Sequence, residues 1–379
     1  MKAVASITLV LFLSVFAGLE AQQPYPFRDT DNNNDIKAYW YNVPNSSYPF
    51  ADSKNVFHSL LQIYGKASSD LKHISASVYL KNGVEVLDET FNVHNKLLGI
   101  KDDSIPFDFE ANDGFFKLGC PVEDLDENPV RIVITVVSST GKRTKELKCQ
   151  YHKISGHITD FEGNPEMAYV CFSPDAFAHP FGIWSDSSGY YELEVPERTY
   201  NSVIVNTKDY KISKLEAWGW HIIVDRDQRM DYKIGTAEVY SLNFWANNWG
   251  GGAYSIAFRP MALVPQDQIN SRDTTIAING NSWKVIRIAP ELEPEHLNVT
   301  INGSAAKIIS MQKYYETAQG MALPAYIVQV ERGEHSTPGK KTVMVEYSSQ
   351  MEIGGKSVEC NSMGYFEFYN GYYGLSKYY

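Results

Sequence analysis

The tryptophans are the side chains whose spacing most suggests recognition chemistry. Five of the seven, Trp184, Trp218, Trp220, Trp245 and Trp249, fall between positions 184 and 249. Trp218 and Trp220 are two apart, which places both indoles on one face of a regular strand. The run Trp245-Ala246-Asn247-Asn248-Trp249-Gly250-Gly251-Gly252 sets two indoles around a polar, glycine-rich turn. An indole face stacks on the C–H face of a sugar ring while neighbouring amides bond the hydroxyls. Trp218, Trp220, Trp245, Asn247, Asn248 and Trp249 are therefore the candidate ligand-binding residues, with a glycan or another cell-surface component as the ligand class. The competing use of the same indoles is a core or inter-domain contact, because Trp is mostly buried.

Catalytic chemistry is poorly represented. The nine histidines are scattered, with no His-Glu-x-x-His and no His-x-x-Glu. There is no Gly-x-Ser-x-Gly elbow, no phosphate-binding loop and no dinucleotide fingerprint. Carboxylates two apart, such as Glu291 and Glu293 or Asp225 and Asp227, read as solvated positions on strands or turns. Two carboxylates brought together from distant strands escape this kind of reading, so a hydrolase with an unrecognised pair stays as an alternative. The expectation is a non-enzyme without cofactor or metal. Residues 29–35 offer the oxygen ligands of a calcium loop, but Asn34 stands where the turn glycine belongs and Trp40 where the bidentate glutamate belongs. Cys120 and Cys149 are the candidate disulfide, although four cysteines allow three pairings and the sequence does not choose among them. Asn45, Asn298 and Asn302 each open an N-glycosylation sequon.

The elements that must carry these residues read as strands. Ile154, Gly156 and Ile158 share one face of a period-two strand, and residues 160–165 hold Gly163 and Asn164 for a tight reversal. Ala168, Val170 and Phe172 then alternate with Tyr169 and Cys171. Asp186-Ser187-Ser188-Gly189 marks a second turn, after which Tyr191, Leu193 and Val195 oppose Glu192 and Glu194 until Pro196. Val203 and Val205 restart the alternation. This is the pattern of a small antiparallel sandwich.

The same residues resemble the carboxypeptidase regulatory-like family, a transthyretin-like seven-stranded sandwich. The resemblance rests on four elements in order: Ile154-Ser155-Gly156, the turn with Asp160, Gly163, Asn164 and Pro165, the small-residue strand 168–172, and Ser185-Asp186-Ser187-Ser188-Gly189-Tyr190-Tyr191-Glu192-Leu193. It covers residues 153–236, about a fifth of the 379-residue chain. It implies a non-catalytic accessory module of a secreted surface protein. Where the family has Gly-Thr-Tyr, this chain has Arg198-Thr199-Tyr200.

Around that module the chain divides by composition and pattern. Lys2, the apolar run 7–17 and a small-residue exit form a secretory leader, 1–21, with cleavage near Ala21. The run is too short to span a bilayer, and no later segment has transmembrane length. The leader carries one charge of each sign, so the net charge stays at −11, with a pI near 5.3. That balance disfavours nucleic acid as a partner and leaves any protein partner open. A polar linker, 22–49, precedes an immunoglobulin-like sandwich at 50–152, where Ile74, Ala76, Val78 and Leu80 alternate into the hairpin signal Asn82-Gly83. A further β-sandwich is expected at 237–350, with a short helix near 305–319 as a competing local reading. Residues 351–379 form an aromatic-rich tail. The fold expected is all-β, as tandem sandwiches. The function expected is secreted, non-catalytic binding or adhesion, with a structural or assembly protein of the cell envelope as the alternative.

Overall fold

The computed structural model describes residues 36–42, 59–66, 71–92, 108–112, 115–122, 128–173, 181–247, 252–265 and 274–370. The leader, the run 29–35, Asn45, Asn248, Trp249 and residues 371–379 lie outside the described residues. The chain is all-β, built as tandem sandwiches, and its described helical segments are two single 3-10 turns, Pro294–His296 and Gly333–Ser336.

The first sandwich contains β1 (Ile36–Asn42), β2 (Ser59–Lys66), β3 (Leu71–Tyr79), β4 (Glu85–Asn92), β5 (Asp108–Asn112), β6 (Phe115–Val122), β7 (Arg131–Ser138) and β8 (Gly141–Lys148). Two four-stranded sheets, β1-β2-β6-β5 and β4-β3-β7-β8, face each other. Their alternation buries Leu61, Ile63 and Leu118 against Ile74, Ala76, Val78, Ile132, Ile134 and Val136. Gly83 takes φ 83° in the β3–β4 turn, and Asn82 Oδ1 accepts the Val84 N–H at 2.9 Å. The expected Cys120–Cys149 bridge is not formed, because Cys149 is a free thiol. Cys120 pairs with Leu61 inside one sheet, whereas Cys149 follows the edge strand of the other. Burial pushes the Cys149 thiol up to about 11, opposed by a hydrogen bond with Tyr151.

The central module follows with β9 (Tyr151–Thr159), β10 (Ala168–Ser173), β11 (Phe181–Trp184), β12 (Tyr190–Pro196), β13 (Arg198–Thr207), β14 (Ala217–Val224), β15 (Gln228–Arg229) and β16 (Tyr232–Lys233). Both of its diagnostic turns are built by an aspartate. Asp160 accepts the Glu162 and Asn164 N–H groups at 3.0 and 2.8 Å, and Asp186 accepts those of Ser188 and Tyr190 at 2.8 and 3.1 Å. Gly189 has φ 78°, and a Cβ there would sit 2.3 Å from Ile158 O, so glycine alone lets the two turns meet. The Tyr200 hydroxyl donates to Pro196 O at 2.9 Å while its ring meets Phe172 and Phe181 edge-on. Arg198 opens β13 at that corner.

The last module contains β17 (Ala237–Ala246), β18 (Ala253–Ala262), β19 (Thr275–Ile278), β20 (Asn281–Val285), β21 (Leu297–Ile301), β22 (Ser304–Ala305), β23 (Ile308–Ala318), β24 (Met321–Glu331), β25 (Gly339–Ile353) and β26 (Lys356–Asn370). The helix considered near 305–319 is strand β23, which reverses through Gln319 and Gly320 at φ 50° and 78° to pair along β24. Much of the expected aromatic tail is β26, and it lies in the middle of a sheet. β26 pairs in parallel with β14, Trp218 opposite Gly364 and Trp220 opposite Phe366, which joins the central and last modules in one eight-stranded sheet, β11-β10-β13-β14-β26-β25-β21-β22. Its aromatic run alternates between two cores. Tyr365 packs edge-on to Tyr232 in the central module, while Phe368 stacks on Phe244 at 4.0 Å in the last one. A strand buried on both faces needs apolar residues at consecutive positions, and that is why this segment shows no period-two alternation.

Candidate functional site

The site begins with a bulge. Before it, Ala237 and Val239 of β17 face the core. The pairing with β18 then slips between Tyr240 and Asn243, with Ser241 at φ 54°, and afterwards Leu242, Phe244 and Ala246 face inward. A one-residue slip moves the whole set of side chains to the other face. Asn243, Trp245 and Asn247 are thereby turned outward, and Trp245 is 42% exposed.

The neighbouring strands extend this face. On β18, Tyr254, Ile256 and Phe258 enter the core, and Ser255 and Ala257 lie on the opposite side, where they are only 2% and 9% exposed. On β24, Ile327 and Gln329 are outward and half-buried, and on β23, Ser310 and Gln312 are outward and exposed. The registers align two rows across four strands, Trp245–Ser255–Gln329–Ser310 and Asn243–Ala257–Ile327–Gln312. Four strands at the usual spacing span roughly 14 Å. Ser255 Oγ donates to Asn247 Oδ1 at 3.0 Å, and Ser310 Oγ donates to Gln329 Oε1 at 3.0 Å. These contacts orient the amides without exhausting them, because each amide has four hydrogen-bonding sites.

Charge is compensated at both ends. Arg259 pairs with Glu316 at 3.1 Å and lies 4.8 Å from the Tyr240 ring centroid at one end, and Lys307 pairs with Glu331 at 2.7 Å at the other. The face is thus an exposed indole beside the Ser310 hydroxyl and the amides of Asn243, Asn247, Gln312 and Gln329, with the charges at its ends paired. Such a surface can stack a sugar ring and bond its hydroxyls. It offers no activated nucleophile and no acid–base pair.

Trp218 and Trp220 are placed elsewhere. Their rings stack at 4.7 Å and 11°, and Tyr240 meets both edge-on at 5.3 and 5.2 Å. Trp218 is 4% exposed, and Trp220 Nε1 donates to Val239 O at 3.2 Å. The expectation of a shared strand face holds, but that face is covered by β17, so both indoles fasten β14 to the last module. They are corrected from ligand candidates to seam contacts. Of the six candidates, Trp245 and Asn247 remain on an accessible face, while Asn248 and Trp249 lie outside the described residues. Asn243, Ser255, Ser310, Gln312 and Gln329 were missed because only the bulge and the registers bring them together.

A cleft of about 240 Å³ opens between the modules beside Arg226, Gln228, Arg229, Lys340, Thr342 and Glu367. Its cations are already matched. Lys340 contacts Glu367 at 2.8 Å and Asp225 at 3.6 Å, Arg226 grips Asp225 at 2.9 and 3.0 Å, and Arg229 pairs with Asp231 at 3.0 Å. Hydrogen bonding from Arg226 holds the Asp225 carboxyl far below the usual carboxylate range. The network fixes the seam and leaves little charge for a ligand. Among the described residues no three His, Cys, Asp or Glu side chains converge to hold a metal ion. The carboxyls that do meet from distant strands, Glu216 and Glu238, are buried and face one another, which leaves no room for a substrate.

No protein-family model matches the chain, and no curated protein matches it. Among solved structures it is similar to a marsupial T cell receptor, at 10% identity over 86% of this chain and 98% of that one, with a TM-score of 0.16. It is similar to the extracellular portion of mouse CD200RLa at 5% identity, 87% and 94% coverage and a TM-score of 0.15. It is also similar to the full-length major pilin SpaD from Corynebacterium diphtheriae at 9% identity, 52% and 64% coverage and a TM-score of 0.21. Likeness this weak carries no argument about function, and the all-β architecture stands on the strands themselves.

Proposed function

We propose that this chain is an exported, non-catalytic binding protein that captures a neutral glycan on the sheet face beside Trp245. The observation that carries the reading is an indole left 42% exposed on a sheet face that also presents Asn243, Ser310 and Gln312 and whose neighbouring charges are paired. An indole face beside amides and a hydroxyl is the combination that stacks a sugar ring and bonds its hydroxyls. The leader pattern at 1–21 supports export. The resemblance of residues 153–236 to the carboxypeptidase regulatory-like family supports a spacer role for the central module, which presents that face at a fixed distance. A glycan array probed with the full chain tests this reading. Binding to neutral saccharides that Trp245→Ala abolishes, with melting temperature unchanged, supports it. An array without hits, together with concentration-dependent self-association, favours an assembly protein of the cell envelope. Turnover of a polysaccharide would replace both with a hydrolase.

A further inference from the structure

We propose that Glu216 and Glu238 form a latch that shares a proton across the seam between the central and last modules, and that loss of this proton loosens the seam. The two carboxyls come from different modules. Glu216 precedes β14 and is 8% exposed, and Glu238 is the second residue of β17 and is 4% exposed. Trp218 and Tyr240, two residues further along the chain from each, meet edge-on at 5.3 Å, so the two carboxyls face one another across the seam. Two carboxylates side by side in a dry seam cannot both stay ionised, so one carries a proton and donates it to the other.

The surroundings decide whether a cation could take over that role. From the β13–β14 connection, Tyr210 hydrogen-bonds to Glu216, and Lys211, exposed at the surface, lies over the Tyr210 ring at 4.5 Å. Desolvation depresses the Lys211 ammonium even with both glutamates nearby. From β14, Trp218 faces Glu238. From β17 and β18, Tyr240 turns its ring toward Trp218 and takes the Arg259 guanidinium at 4.8 Å, while Arg259 pairs with Glu316. From β25, the Tyr347 hydroxyl donates to the backbone oxygen of Glu238 at 3.1 Å, not to its carboxyl. One depressed ammonium faces two acids, and neutrality on the glutamate side is met by a retained proton. Burial raises both carboxyls above the ordinary 4.5.

The direction of the linkage follows. The folded state binds this proton more tightly than the unfolded chain, so its contribution to stability is largest below pH 4.5 and is lost as pH rises toward the raised folded value. The Trp218–Trp220 stack lies beside the pair and supplies a local optical probe, because parallel indoles at 4.7 Å couple excitonically.

The experiment follows the circular-dichroism couplet and the melting temperature of the full chain from pH 5 to about pH 9, with Glu238→Gln and Glu216→Gln alongside. Glutamine keeps the shape of a protonated carboxyl and cannot lose the proton. The expected result is a wild-type couplet that fades toward base, with a melting temperature lower by at least about 3 °C, and a Glu238→Gln protein that changes in neither. A wild type flat in both readouts, or a Glu238→Gln protein that titrates like it, overturns the latch. Should either variant fail to fold, infrared difference spectra of the wild type decide. A protonated-carboxyl band that disappears toward base supports the proposal, and absence of that band near neutral pH overturns it.

Discussion

Two pairs of aromatic residues on neighbouring strands show how the same residue types are put to opposite uses. On β14, Trp218 and Trp220 stack on one another, are closed by Tyr240 and are tied by an indole N–H to Val239 O. On β17, Trp245 stands outward next to inward-facing Phe244, which stacks on Phe368. Indole chemistry does not separate these cases. The difference is set by what lies over the strand face, a whole module for β14 and open solvent for β17 beyond its bulge. A tryptophan cluster in a sequence therefore marks investment in aromatic surface, and topology decides whether that surface meets protein or ligand.

The contrast is broken most directly by truncating the indoles in turn. Trp218→Ala removes a buried ring from the seam and is expected to cost about 3–5 kcal/mol in urea unfolding. Trp245→Ala is expected to change stability by no more than ~0.5 kcal/mol. Equal losses would erase the distinction. The same Trp245→Ala protein should lose at least about tenfold in affinity for a saccharide ligand, about 1.4 kcal/mol by titration calorimetry. Trp220→Phe keeps an aromatic ring and deletes the donor to Val239 O, for an expected loss of about 0.5–1.5 kcal/mol. No loss would show that the seam depends on stacking alone.

A subtler test sets the seam acids against the turn acids. Hydrogen bonds from Ser188 lower the Asp186 carboxyl, so its contribution is present above an ordinary pKa of 3.8 and is lost as pH falls through the depressed value. Asp186→Asn should flatten the acid limb of the stability profile and leave the basic limb unchanged. Glu238→Gln should do the reverse. Denaturation midpoints across pH, recorded for both proteins, check the pair of outcomes.

What the sequence revealed follows the range of the interaction. Asn82-Gly83, Asp160 to Pro165 and Asp186 to Gly189 act on their own backbones within a few residues, and all three turn as their chemistry dictates. Period-two burial in β3 and β7 was equally local. The bulge at Tyr240–Asn243 carries no glycine or proline to announce it, so the outward aim of Trp245 does not follow from local turn chemistry. The meeting of Glu216 with Glu238, and of β14 with β26, depends on how modules dock, and neither partner carries a local signal of the other. Gly364 is the nearest to one. A Cβ there would sit 2.9 Å from Val239, and its absence lets β17 lie against the shared strand.

The parallel pairing of β14 with β26 also has a mechanical consequence. Two modules that own halves of one sheet have no swivel between them, and rotating one against the other means tearing peptide hydrogen bonds. A tug on anything held beside Trp245 travels into the central module as shear along that row, not as torque on a tether. Scission of the chain between β25 and β26 would withdraw a strand from two cores at once.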